Sequence, residues 1–197
     1  MIGSKKFGLT YKLIAVIVCG LVVGSVSGFI MNSGGSGLLD IIFMKYAELK
    51  QNGSFFELTY YSFFPVAVII VINYFNGYSL LTGFIKYIIA FCVGTAQGLL
   101  SVIIYSKAIN GIAYSVLVYI PFNILFALII FLSLRETDKL SIMCRNAVFH
   151  NEINDSKERL LKEYVIKLIL LLSLSFIVSL INAVANCIFF KFFTLFD

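Results

Sequence analysis

The sequence predicts an all-α fold, a polytopic membrane helix bundle in which five transmembrane helices form a single membrane domain. Hydrophobic residues make up 60% of the 197 residues and charged residues only 13%, and the mean hydropathy is +0.99. Soluble globular domains have about 45–50% apolar and about 25% charged residues. A spanning helix needs about 20 mostly apolar residues, and five runs approach or exceed that length. They lie at 11–31, 60–76, 78–105, 112–134 and 165–190.

The distribution of basic residues predicts how the spans are oriented. With the N-terminus inside, eleven of the 15 Lys and Arg lie in inner segments and only four in outer ones. Because positive charges near membrane helices stay preferentially in the cytoplasm, we expect a cytoplasmic N-terminus, a C-terminus outside and a cytoplasmic loop over 135–164. The mixed apolar and charged stretch 38–51 is predicted to lie in the outer interface. The net charge of +5 thus serves topology, and no nucleic-acid partner is expected.

Glycines at four-residue spacing lie on two of the predicted spans. Gly20, Gly24 and Gly28 share one face of the first span, and Gly94 and Gly98 share one face of the third. Such a groove allows the backbone of another helix to approach closely. Two alternatives are open: the first groove is an assembly face for a partner protein, or the two grooves pack against each other within this chain.

Prolines and amides provide the polar features of the remaining spans. Pro65 is predicted to lie in the first turn of the second span, where a missing N–H is tolerated. Pro121 in the fourth span frees a carbonyl one turn earlier, which the amide of Asn123 or an amide of a neighbouring helix could satisfy. The site is then either a structural kink or a hinge with a polar group at mid-membrane. Asn182 and Asn186 share one face of the fifth span and are expected to cross-link helices.

Ionisable and reactive groups are scarce in the apolar runs. None of the five runs contains Asp or Glu, and Lys86 lies close enough to a span end to reach the interface. Coupled transporters usually need an ionisable group within the membrane. No HExxH, GxSxG or phosphate-binding glycine loop is present. The sequence therefore predicts no catalytic residue, no metal site and no cofactor, and the chain is not expected to be an enzyme.

Residues 77–134 resemble the stage II sporulation protein M family. The family pattern has a Gly-aromatic segment that opens a helix, a Gly-rich outer turn and a long apolar helix with a Pro-x-Asn element. The matching residues here are Gly77, Gly83, Gly111, Pro121 and Asn123. The glycine-rich first span and the five-span layout also agree. The chain departs from the family at Asn182, since the final helix of the family often carries an acidic residue.

The resemblance implies a non-catalytic integral membrane scaffold in the cell membrane. Such a protein is similar to the anchor of the peptidoglycan-remodelling complex in forespore engulfment, whose partners are stage II sporulation proteins D and P. The expected partners are therefore membrane lipids and membrane or wall-associated proteins. The alternative is the membrane subunit of an ABC-type transporter that pairs with a separate ATPase, with 135–164 as the coupling region.

Overall fold

Five long helices make up nearly all of the part of the protein that the structure describes. The computed structural model describes residues 2–33, 41, 45, 53–79, 82–105, 112–150 and 156–189. The helices are α1 (Ile2–Ser33), α2 (Phe55–Asn76), α3 (Thr82–Tyr105), α4 (Ile120–His150) and α5 (Ser156–Phe189), and a π-helical segment, Ser115–Tyr119, precedes α4. Each of the five helical regions is long and apolar enough to cross a membrane. The predicted all-α bundle with five spans is confirmed.

Helices α1 and α3 form the most extensive helix pair of the bundle, and the contacts of α1 with other helices are slight. The two helices run parallel, because Gly20 lies against Phe91 and Gly28 lies against Val102. The rest of the α1 surface carries exposed large apolar side chains. This stripe comprises Ile14, Val18, Val22 and Val26, and it is the surface expected of a helix that faces lipid.

Helices α2, α4 and α5 form the other part of the bundle, and α4 also packs against α3. Helices α2 and α5 are antiparallel, since Ser62 bonds to Asn182 near one end and Tyr74 stacks on Tyr164 near the other. We call these the Ser54 end and the Gly77 end, after the residues that flank α2. A buried apolar cluster that includes Ile70, Ile129 and Leu134 joins the helices between the two ends.

The start of α2 differs from the prediction. The helix begins at Phe55, where the Ser54 hydroxyl accepts from the Glu57 N–H at 3.3 Å and the Glu57 carboxylate accepts from the Ser54 N–H at 2.7 Å. This capping box moves the helix start upstream, so that Pro65 lies inside the helix rather than in its first turn. The predicted position of Pro65 in the first turn was wrong.

Much of the range 135–164, predicted to be a loop, is helical. Helix α4 continues to His150, and α5 begins at Ser156, ahead of the predicted span 165–190. Glu136 forms an ion pair with Lys139 within α4 and another with Lys167 on α5, and the second pair joins the two helices. The predicted interfacial segment 38–51 lies outside the described residues, apart from Ile41 and Lys45, which are helical and exposed.

Candidate functional site

The glycines of α1 lie directly against the backbone of α3. A Cβ added to Gly20 would come closer than 3.0 Å to the Phe91 carbonyl oxygen, and one added to Gly24 would come equally close to the Thr95 carbonyl oxygen. Cβ atoms in proteins essentially never make such contacts. The backbones of α1 and α3 can therefore approach this closely only because both positions are glycine.

The glycines of α3 make the reciprocal contact. A Cβ on Gly94 would meet the Ile17 carbonyl oxygen, and one on Gly98 would meet the Leu21 carbonyl oxygen, again at less than 3.0 Å. At Gly28 the contact is looser, because a Cβ would lie 3.3 Å from the Val102 side chain. The two glycine grooves thus face each other within the chain. The Gly20, Gly24 and Gly28 face is covered by α3 and does not form a free assembly surface for a partner.

A buried ion pair joins α3 and α4 near the Gly77 end. The Lys86 ammonium pairs with the Asp138 carboxylate, and the two residues are 6% and 8% exposed. The expectation that Lys86 reaches the interface was wrong. Asp138 lies one turn beyond the apolar run that ends at Leu134, and the continuation of α4 brings this carboxylate inside the bundle. Because burying a charge without a partner is costly, each of the two ions offsets the cost of burying the other.

Neutral polar side chains extend this cluster towards α2 and α5. The Asn73 side-chain amide donates to the Ser133 hydroxyl at 3.2 Å, and the Asn73 backbone carbonyl accepts from the Thr137 hydroxyl at 3.1 Å. The Thr137 hydroxyl also lies 3.4 Å from that of Tyr164, whose ring stacks on Tyr74 with the ring centroids 5.1 Å apart. These hydrogen bonds connect helices through polar groups. They are favoured within a membrane because no water is present there to bond to those groups.

The glycines of the family-like motif have different surroundings. Gly77 ends α2, and a Cβ on it would lie 2.9 Å from both the Leu140 side chain and the Tyr164 hydroxyl. This position therefore allows α4 and α5 to pack against the end of α2. Gly83 has open space around its Cα, and Gly111 lies outside the described residues.

Tyr78 follows α2 and lies outside the apolar spans. Burial and a hydrogen bond with the Tyr74 hydroxyl, 3.0 Å away, raise the pKa of Tyr78 to about 12. Both effects favour the neutral phenol over the phenolate. Tyr78 is therefore uncharged at physiological pH and serves as a hydrogen-bonding group at the Gly77 end.

An irregular helical turn precedes Pro121. In the π segment Ser115–Tyr119 each hydrogen bond spans five residues, and the N–H of Ile120 accordingly donates to the Ser115 carbonyl. A π-bulge is a recognised source of helix irregularity and is frequent at functional sites. The sequence predicted a kink at Pro121 but gave no signal for the π geometry that accompanies it.

Of the two donors predicted for the carbonyl that Pro121 frees, the Asn123 amide does not supply that bond. Its side-chain nitrogen, Nδ2, is buried without a hydrogen bond of normal geometry among the described residues, and the Tyr119 hydroxyl is a polar neighbour of the amide. The Asn123 backbone carbonyl accepts from the Gln97 side-chain amide at 3.4 Å, which connects α4 to α3. Leaving a buried donor unpaired costs about 1–3 kcal/mol.

Asn182 and Asn186 are the amides that connect α5 to its neighbours near the Ser54 end. The Asn182 side chain donates to the Ser62 hydroxyl at 3.0 Å, and the Asn186 side-chain oxygen accepts from the Tyr114 hydroxyl at 2.5 Å. The Asn186 side-chain amide also donates to the Asn182 backbone carbonyl at 2.6 Å. The two asparagines thus link α5 to α2 and to the residue before the π segment.

A cavity of about 320 Å³ lies among these groups, between α2, α3, α4, α5 and the π segment. Its walls are mostly apolar and include Val66, Leu100 and Phe126. Its polar lining residues are Tyr61, Ser62, Gln97, Tyr114, Tyr119, Asn123 and Asn182. Of the described residues that line this cavity, none carries a charge. The sequence named Asn123 and Asn182 as polar sites but gave no indication that they share one cavity.

The described His, Cys, Asp and Glu residues include no group of three that could hold a metal ion. The four cysteines are unpaired, and two of them, Cys19 and Cys92, are exposed. Cys144 and Cys187 are partly buried.

The fold and these contacts define the class of the protein as a multi-pass integral membrane protein built from five helices. No protein-family model matches the chain, and neither a curated protein nor a solved structure does. The resemblance to the stage II sporulation protein M family therefore stays a prediction.

Proposed function

We propose that this integral membrane protein is a non-catalytic scaffold that holds other membrane or wall-associated proteins in place. One observation carries the proposal: several of the described polar side chains inside the bundle bond to one another across helices. Lys86 pairs with Asp138, Asn73 bonds to Ser133, and Asn182 bonds to Ser62. Such cross-links favour one rigid arrangement, which suits a protein whose role is to position partners.

The glycine contact supports the same role, because it fixes α1 against α3. The partner surface must then lie elsewhere than on the glycine face, either on the remaining apolar surface or in the segments that connect the helices. If the family resemblance holds, the partners are stage II sporulation proteins D and P, and the complex remodels peptidoglycan during forespore engulfment in the cell membrane.

Cross-linking in intact cells, followed by purification of the full chain from solubilised membranes, tests the scaffold proposal. We expect a wall hydrolase or its membrane anchor among the cross-linked proteins. Deletion of the gene in a spore-forming host should block engulfment and delocalise the hydrolase. Normal engulfment and an unchanged hydrolase distribution in the deletion strain would count against the proposal.

A second candidate is the membrane subunit of an ABC-type transporter. The observation that favours it is the pair of helical extensions at the Gly77 end, residues 135–150 of α4 and 156–164 of α5, near whose base Glu136 of α4 pairs with Lys167 of α5. A charged helical projection of this kind could dock on an ATPase. Copurification with an ATP-binding subunit would support this candidate over the scaffold.

A further inference from the structure

The cavity near the Ser54 end lies well inside the membrane-spanning part of the bundle. Asn182 precedes the end of α5 by seven residues, and Gln97 precedes the end of α3 by eight, which places both about 10–12 Å from the helix ends at 1.5 Å per residue. The hydrocarbon core is about 30 Å thick. A molecule in this cavity would therefore be surrounded by protein and lipid rather than by bulk water.

The lining of the cavity selects for a particular chemistry. Its described lining residues carry no charge, and its walls are mostly apolar, so an ion would lose its hydration without gaining a partner. Asn123 Nδ2 is buried without a hydrogen bond of normal geometry among the described residues. Ser62 accepts from Asn182, whose side-chain oxygen accepts from Asn186. The cavity thus offers neutral hydrogen-bonding groups, the Asn123 amide among them, beside an apolar wall.

The rim of the cavity includes exposed residues of α2. Tyr61 is 54% exposed, and Pro65 is also exposed on the outer surface of the bundle. Because Pro65 lies inside α2, it removes one intrahelical hydrogen bond at the rim. A molecule dissolved in the bilayer can therefore reach the cavity from the side, between α2 and its neighbours.

We propose that this cavity binds an uncharged, lipid-soluble molecule with an apolar body and one hydrogen-bond-accepting group, such as an ester or a ketone, and that Asn123 Nδ2 donates to that group. The volume of about 320 Å³ falls at the lower end of the range for small-molecule sites, about 300–1,000 Å³. This binding site is independent of the scaffold role, since it lies between the helices and not on the outer surface that a partner would contact.

Photolabelling of the full chain in lipid nanodiscs tests the proposal. The probe is a long-chain methyl ester with a diazirine on its chain, and the comparison probe is the corresponding carboxylate, used at alkaline pH so that it is charged. Mass spectrometry of peptides locates the label. We expect the ester to label the stretch of α4 around Asn123 and Phe126, and unlabelled ester to compete with it. The carboxylate should label this stretch at least about fivefold less, because its charge would lose hydration in a cavity whose described lining residues offer no opposite charge.

Three variants distinguish the cavity from the lipid-facing surface. Leu100→Phe narrows the cavity, and Asn123→Leu removes the donor at similar size. Leu128→Phe is the matched control, because it makes the same leucine-to-phenylalanine change at a residue that is 51% exposed. We expect the first two variants to reduce the labelling of α4 about fivefold or more, and the third to leave it unchanged.

Several results would overturn the proposal. Equal labelling in all variants, equal labelling by the carboxylate, or a label that unlabelled ester does not displace would each show contact with bulk lipid only. Labelling of α4 no stronger than that of the exposed face of α1 would mean that the cavity holds only water. Competition by unlabelled ester on the wild-type protein tests the proposal even if a variant fails to fold, because that measurement needs no substitution.

Discussion

Substitution of Gly24 by alanine is the sharpest test of how α1 is held in the bundle. The added Cβ would come closer than 3.0 Å to the Thr95 carbonyl oxygen, whereas ordinary van der Waals contact begins at 3.4 Å. The backbones of α1 and α3 must therefore separate by more than the difference of 0.4 Å between these two distances. The obstacle is backbone, which cannot move aside as a flexible side chain could. The separation also loosens the neighbouring contact at Gly98.

The expected cost follows from two opposing effects. Overpacking of a close contact costs about 1–3 kcal/mol, while replacing glycine by alanine in a helix gains about 1 kcal/mol. We expect Gly24→Ala to lower the free energy of unfolding by up to about 2 kcal/mol. Gly24→Ala combined with Gly98→Ala should cost less than the sum of the two, because a separation caused by one Cβ makes room for the other.

Two other glycines of the same helices provide matched controls. Gly83→Ala adds a methyl group to open space at the start of α3, and Gly28→Ala places its methyl group 3.3 Å from the Val102 side chain and 3.4 Å from the Leu99 carbonyl oxygen. The first should be neutral or stabilising by up to about 1 kcal/mol, and the second should have an effect between those of Gly83→Ala and Gly24→Ala. Far-UV circular dichroism during titration with sodium dodecyl sulfate measures the unfolding free energy of each purified variant.

Equal stabilities of Gly24→Ala and Gly83→Ala would contradict the close contact between α1 and α3. Full additivity of the effects of Gly24→Ala and Gly98→Ala would also contradict it, since independent effects would mean that the two glycines do not share one close interface. Both results would place α1 at a greater distance from α3 than the structure does.

Two further predictions concern the Gly77 end. Asp138→Ala leaves the Lys86 ammonium buried without its partner and should lower the free energy of unfolding by about 3–5 kcal/mol. The double change Lys86→Met with Asp138→Leu should recover most of this loss. Lys139→Gln, at an exposed pair, is the control in the same denaturation assay, and an equal loss for that variant would contradict the prediction. Tyr78 has its folded-state pKa raised from 10.0 to about 12, so its contribution to stability is fully present below pH 10 and is lost as the pH rises through 12. Tyr78→Phe should therefore lose less thermal stability than the wild type across that window, whereas identical losses would show that Tyr78 titrates as it does in the unfolded chain.

The number, order and approximate length of the spans were predictable from the sequence, because each apolar run must reach across the same hydrocarbon thickness. The helix ends were less predictable. The pattern Ser54-x-x-Glu57 was a readable capping-box signal for the true start of α2. The extension of α4 past Leu134 was not indicated by hydropathy, since that stretch is polar and is held by the ion pairs of Glu136.

The sequence identified some polar residues of the candidate site, Asn123, Asn182 and Asn186 among them, but not how they come together. Four-residue spacing indicated two glycine grooves, and only the three-dimensional contacts show that they face each other. Lys86 and Asp138 are 52 residues apart in the chain, so no local pattern could reveal the pair. The cavity arises where four helices and the π segment leave a gap, which depends on packing rather than on any motif.

The chain has five helices that are long and apolar enough to cross a membrane, and its basic residues predict that the N-terminus lies in the cytoplasm. A cysteine-free background carrying Arg145→Cys in one variant and Asp197→Cys in another permits a direct test with a membrane-impermeant maleimide. We expect the cysteine at 145 to react only after the membrane is opened and the cysteine at 197 to react in intact cells. Reaction of both from the same side would mean an even number of crossings between these topological markers and would contradict the five-span arrangement.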